Sequence, residues 1–148
     1  TPAPTTTTTP AGGAVSTFES GNDGWTLSGF ARRTNADAIS GATSMYASCT
    51  NLDNVFNPIM TKPAAPSGPH SVKYKIITDD SHGSGYLRFA VGSNFVTVVT
   101  AGANTYEGTL NLPASNGRAA EIYCEFTPYD DGGYFPQNVR VWIDDASV

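Results

Sequence analysis

Apolar and polar positions alternate along much of the chain. Met45, Ala47 and Cys49 interleave with Ser44, Tyr46 and Ser48, and Val72, Tyr74 and Ile76 with Lys73 and Lys75. Leu87, Phe89 and Val91 alternate with Arg88 and Ala90. Ile122, Cys124 and Phe126 alternate with Glu121, Tyr123 and Glu125, and Val139, Val141 and Ile143 with Arg140, Trp142 and Asp144. Near the start, Val15, Thr17 and Glu19 fall on one side of a strand and Ser16 and Phe18 on the other. A period of two with one apolar face marks strands of antiparallel sheets that are buried on one side. Phe95 to Val99 carries little alternation and reads as a more fully buried strand.

Turn-forming clusters separate these runs: Ser20 to Gly24, Pro63 to Gly68, Asp79 to Gly85, Ala101 to Asn104, Asn116-Gly117 and Tyr129 to Pro136. Around eight short strands punctuated in this way predict an all-β fold, a two-sheet antiparallel β-sandwich or jelly roll. Composition agrees. Fifteen Gly and ten Pro, with little Met, disfavour helices. The length, 148 residues, suits one domain.

Thr1 to Gly13 reads TPAPTTTTTPAGG and has no side chain to anchor a core. Such a tract predicts an extended, O-glycosylated linker over 1–13, with the module proper over 14–148. A linker on this side implies a preceding domain and a secreted, extracellular parent chain. No apolar run approaches the roughly 20 residues of a membrane-spanning helix. Net charge is −5, from eight Lys+Arg against thirteen Asp+Glu. That balance argues against nucleic acid and anionic membranes as partners.

Cys49 and Cys124 have no zinc-type spacing. They are read either as a reactive thiol or, favoured by the extracellular setting, as a disulfide between two strands, since both fall on apolar faces. His70 and His82 sit in turns, and no nucleophile elbow or HExxH is present. Glu121 and Glu125 are the one carboxylate pair that suggests glycosidase chemistry, two strand steps apart on one face.

The chain ends carry a more specific pattern. The domain opens with Phe18-Glu19 followed by Gly24-Trp25, and closes with Val141-Trp142-Ile143-Asp144-Asp145-Ala146-Ser147-Val148. With a looser match over Ser40 to Tyr46, this resembles the jelly-roll carbohydrate-binding modules attached to secreted fungal and bacterial cellulases and xylanases. Thr43 stands where that family often has glycine. The resemblance implies a structural calcium held by Glu19 and Asp144, with Asp145 as the alternative ligand if the register slips by one. Calcium favours clustered carboxylate oxygens. Trp25, after a turn glycine, is read as core.

A sugar site pairs an aromatic platform with planar polar groups. Two places qualify. One is an outward sheet face, where alternation puts Tyr46, Lys73, Lys75, Arg88, Tyr123, Glu125 and Trp142. The other is the loop Tyr129 to Phe135, with Tyr134 and a Gly-Gly hinge. The function expected is non-catalytic binding of a plant or fungal cell-wall glucan or xylan. The module, a monomer, targets an N-terminal catalytic domain of the same parent chain to its substrate. The alternatives are a structural or adhesive sandwich with a protein partner, and a small jelly-roll glycan-active enzyme.

Overall fold

The computed structural model describes residues 15–49, 55–63, 65, 68–79, 84–115, 118–127, 129–130, 133–134 and 138–148. In chain order the strands are β1 (Val15–Ser16), β2 (Thr26–Ser28), β3 (Ala31–Thr34), β4 (Thr43–Cys49), β5 (Ile59–Lys62), β6 (Gly68–Thr78) and β7 (Ser84–Val91). They continue with β8 (Asn94–Ala101), β9 (Asn104–Ser115), β10 (Ala120–Thr127), β11 (Tyr129–Asp130), β12 (Gly133–Tyr134) and β13 (Val139–Ser147). One sheet runs β3-β4-β13-β6-β9, with β1 added to the end of β13. The second runs β2-β5-β10-β7-β8, and β11 and β12 form a small hairpin. All strand pairs are antiparallel. This is the expected two-sheet β-sandwich, a jelly roll.

The core lies between the sheets. Met45, Ile76, Val141 and Ile143 reach it from one side and Leu87, Phe89, Ile122 and Phe126 from the other, all but fully buried. Along β10 buried and half-buried positions alternate without a break. Trp25 is core as read, and its Nε1 donates to Ser16 Oγ at 3.3 Å.

The closing strand shows how the pattern changes phase. Val139, Val141 and Ile143 face inward, and strict alternation would send Asp145 and Ser147 after them. A bulge intervenes between Asp144 and Ser147, with Asp145 at φ 46°. The extra residue shifts the register by one. Ala146 and Val148 therefore enter the core, and Asp144 stays on the outer face opposite Lys73.

Three expectations need correction. Phe95 to Val99 is not a buried strand. Only Val96 and Val98 pack on the core, while Phe95 and Val99 are 64% and 71% exposed. The strand β8 is a sheet edge with an open outer face, so its apolar residues divide between two sides. The twelve-residue β9 was not anticipated at all, because Gly108 and Pro113 interrupt its pattern. It is an edge strand, where a proline without an N–H is tolerated. Finally, Cys49 and Cys124 are not joined. Both do turn toward the core, Cys124 fully buried and Cys49 packed against it. Facing a common core is a weaker condition than the Cα separation of about 4.4–6.8 Å that a bridge requires, between sheets stacked about 10 Å apart.

Candidate functional site

The outer face of the β10-β7-β8 region gathers Tyr86, Phe95 and Tyr123, and Phe95 is the exposed large aromatic among the described residues. Register places Tyr123 beside Arg88 and Glu125 beside Tyr86. On the other side of β7, Arg88 pairs with Thr97, Ala90 with Phe95, and Tyr86 with Val99. Paired residues share a face, and the chain neighbours of each lie on the core side. One surface thus holds Glu121, Tyr123, Glu125, Tyr86, Arg88, Phe95 and Val99.

These side chains are organised by hydrogen bonds. Tyr86 donates its hydroxyl to Glu125 Oε2 at 2.9 Å, and Tyr123 donates to the same oxygen at 3.0 Å. The two rings lie 5.9 Å apart at 56°. The hydrogen bond to Glu125, with desolvation added, pushes the Tyr86 phenol up to about 12. Desolvation first and the same carboxylate second also raise Tyr123. Arg88 reaches Glu121 Oε1 at 3.5 Å and sits over the Tyr123 ring at 5.7 Å.

Two hollows adjoin on this surface. One, of about 380 Å³, is bounded by Gly85, Tyr86, Phe95, Thr97, Val99 and Glu125. The other, of about 760 Å³, is bounded by Thr61, Pro63, Ala90, Phe95, Arg118 and Glu121. Arg88 and Phe95 border both, so the two form one groove with a saddle between. Glu121 and Glu125 stand on the same strand and face, four residues and so about 13 Å apart along it. They do not oppose one another across a cleft at the about 5–9.5 Å that glycoside hydrolysis uses. Each is also engaged, with Arg88 and with two tyrosines respectively.

The remaining sheet-face residues lie on the opposite side of the molecule. Tyr46, Trp142 and Lys75 form one cross-strand row on the outer face of the β3-β4-β13-β6-β9 sheet, and Lys73 follows beside Asp144. Trp142 is only 1% exposed and is no stacking platform, which corrects its reading as a sugar ligand. Tyr46 packs on it at 5.2 Å, and Lys75 and Arg140 lie over its ring at 4.5 and 5.5 Å. Arg33 in turn covers Tyr46 at 4.2 Å. Alternation correctly turned these residues outward, but what covers the outside is a tertiary matter. Here the segment 35–42 folds back, with Lys75 Nζ donating to the Asp37 carbonyl at 3.4 Å.

That same segment explains Glu19 and Asp144. Glu19 Oε1 accepts the amides of Ala42 and Thr43 at 2.9 and 3.1 Å. Asp144 Oδ2 accepts the Ser40 amide at 3.1 Å and the Ser44 hydroxyl at 2.9 Å, and its Oδ1 accepts the Asp145 amide at 2.8 Å. Gly41, at φ 60°, is needed here, because a Cβ would collide with the Glu19 carboxylate. Burial raises the Asp144 carboxyl above its ordinary value. Arg32 fixes the approach by donating to the Phe18 and Glu19 carbonyls, each at 2.8 Å. The donor set around both carboxylates consists of N–H and O–H groups, which fit an anion and not a cation. Among the described residues no three His, Cys, Asp or Glu side chains form a metal cluster. Asp145 turns instead to Lys73 Nζ at 2.9 Å. These residues therefore do not fit the calcium expected of them.

Tyr129 and Tyr134 are register partners in the β11–β12 hairpin, as are Asp130 and Gly133, and residues 131, 132 and 135 of that loop lie outside the described residues. The sequence reading missed Tyr86, Phe95, Val99 and Arg118. Tyr86 was recoverable, as the outward neighbour of Leu87. Phe95 and Val99 were hidden by treating an apolar run as buried.

No protein-family model matches the chain, and no curated protein matches it in sequence. Solved structures do match in fold. A family 61 carbohydrate-binding module in complex with β-1,4-galactotriose superposes with a TM-score of 0.51 at 15% identity, covering 88% of this chain and 92% of that one. A family 36 module in complex with calcium and xylotriose gives 0.44 at 16% identity, covering 84% and 95%. A family 35 module from Paenibacillus barcinonensis gives 0.42 at 16% identity, covering 88% and 98%. The chain has the jelly-roll fold of carbohydrate-binding modules.

Proposed function

We propose that the chain is a non-catalytic polysaccharide-binding module and that the groove over β10, β7 and β8 is its binding surface. The observation that carries this reading is Phe95. It is a large apolar ring left 64% exposed on the saddle of a groove, beside tyrosines held in place by Glu125. Fully burying such a side chain is worth about 1.5–3 kcal/mol, and the C–H face of a pyranose ring is a suitable cover. Arg88, Glu121 and Glu125 supply planar polar groups for its hydroxyls. The likeness to modules solved with galactotriose and xylotriose supports the same reading at the level of fold.

The ligand class is a cell-wall glucan or xylan. Residues 1–13 act as a glycosylated spacer behind a secreted glycan-active domain, and the module works as a monomer. Tethering raises the local concentration of that domain at its substrate without new chemistry. No calcium is assigned a role, because Glu19 and Asp144 are committed to the 40–44 segment.

The test is retention of the intact chain on a panel of insoluble and soluble polysaccharides, compared with Phe95→Ala. Selective retention that the substitution abolishes, with unchanged thermal unfolding, supports the reading. Absence of retention by folded wild-type protein on every polymer sinks it.

A further inference from the structure

We propose that the wider end of the groove is a subsite for an acidic sugar, so that the ligand is a uronate-bearing polysaccharide whose carboxylate meets Arg118 and Arg88. The inference rests on the glycan-binding reading above and names the substrate class of that same surface.

The argument begins with charge. The chain carries −5 overall and only eight Lys+Arg. Arg88, Arg118 and Lys62 nonetheless border one hollow, with Glu121 the single carboxylate beside them. Lys62 is partly spent, donating to the Val148 carbonyl at 3.2 Å. The contact of Glu121 with Arg88 is long, 3.5 Å, and engages one terminal nitrogen. Among the described residues Arg118 forms no ion pair.

Arg118 is also held where it stands. Its carbonyl accepts the Ala65 amide at 2.8 Å, and the next carbonyl, that of Ala119, accepts the Gly92 amide at 3.1 Å. The side-chain stem lies across Gly92, at φ 62°, so closely that a Cβ there would come within 2.7 Å of Arg118 Cγ. A guanidinium positioned in this way matches a carboxylate with two parallel hydrogen bonds. A neutral sugar would leave it without a counter-charge. The narrower end is less cationic: Arg88 borders it as well, but Glu125 lies there and offsets that charge, with no second cation beside it. The acidic sugar therefore sits at one end only, which orients the chain in the groove.

The experiment compares affinity for a glucuronoxylan and for the same polymer after its carboxyl groups are reduced to alcohols, at low and at high salt. Wild type binds the native polymer about fivefold more tightly, the scale of one partly exposed ion pair. The advantage shrinks at about 1 M salt, where the screening length falls to about 3 Å. Arg118→Gln brings the ratio of the two affinities toward one, and Glu121→Gln widens it. Equal binding of both forms by wild type, or a ratio untouched by Arg118→Gln, overturns the proposal and leaves the glycan-binding reading standing. So does retention of neither form while a neutral glucan or xylan is still bound. Retention of no polysaccharide at all overturns both.

Discussion

Glu125 holds two tyrosines by one oxygen, and that arrangement has a titration signature. Tyr86 is raised from 10.0 to about 12, first by its hydrogen bond to the carboxylate. A phenol raised in the folded state contributes stability that is complete below its unfolded value and is lost as pH rises through about 12. Following phenolate absorbance with pH, Tyr86 and Tyr123 should titrate late, and Glu125→Gln should draw Tyr86 back toward the ordinary range. Unchanged titration in that variant would refute the hydrogen-bonded assignment. A second contrast separates two large apolar rings that stand on the outer faces of the two sheets. Trp142→Ala removes a buried ring and should cost about 3–5 kcal/mol in urea unfolding. Phe95→Ala removes an exposed one and should stay within about 0.5 kcal/mol. Cys124, fully buried and with its thiol pushed up by desolvation, should resist thiol reagents until the protein unfolds. These residue-level outcomes were only half legible in advance. Which face a side chain takes follows from period two, but how much of it remains exposed depends on segments distant in sequence.

At the scale of elements, the opening segment and the closing strand are tied through a third piece of chain. Glu19 and Asp144 each accept two donors from 40–44, twenty-odd and about a hundred residues away. Removing Asp144 strands the buried Ser44 hydroxyl and the half-buried Ser40 amide, so Asp144→Ala should cost about 1–3 kcal/mol. Glu19→Ala, at an exposed site, should cost about 1 kcal/mol. Treatment with a calcium chelator should leave the unfolding temperature where it was. A marked fall on chelation, restored by calcium, would show that the clamp opens to admit a cation. The motif itself was visible at the two chain ends. Its partners were not, because a carboxylate in a sequence does not reveal whether a metal or a row of amides will neutralise it. The bulge at Asp145 is a similar case. Two successive aspartates before Ala-Ser-Val signal a break in alternation, yet only the paired strand β6 decides on which residue the slip occurs.

For the whole molecule, the sandwich divides the outward polar and aromatic residues between two faces with different fates. One is partly covered by 35–42 and by cations stacked on Tyr46 and Trp142, which leaves a hollow of about 360 Å³ beside Lys73 and Lys75 but no exposed aromatic platform among the described residues. The other is left open as a groove. Removing residues 1–13 should therefore leave binding of short soluble glycans by the isolated chain unchanged, measured by calorimetry, since β1 begins at Val15. Loss of that binding would place part of the ligand site in the spacer. The all-β class, the two-sheet architecture and the inward faces of the strands that alternate were determined by the sequence alone, whereas Leu110 and Leu112 of β9, and Ala146 and Val148 beyond the bulge, were not. Alternation and turn residues are local properties, and burial of one strand face follows from them directly. The groove was decided by tertiary structure. Tyr86, Phe95 and Arg118 come from separate strands and a connecting segment, and only cross-strand register brings them together. The same holds for Tyr46 and Tyr123, which look alike in sequence. One packs against a buried tryptophan and the other borders an open surface, because their strands belong to opposite sheets.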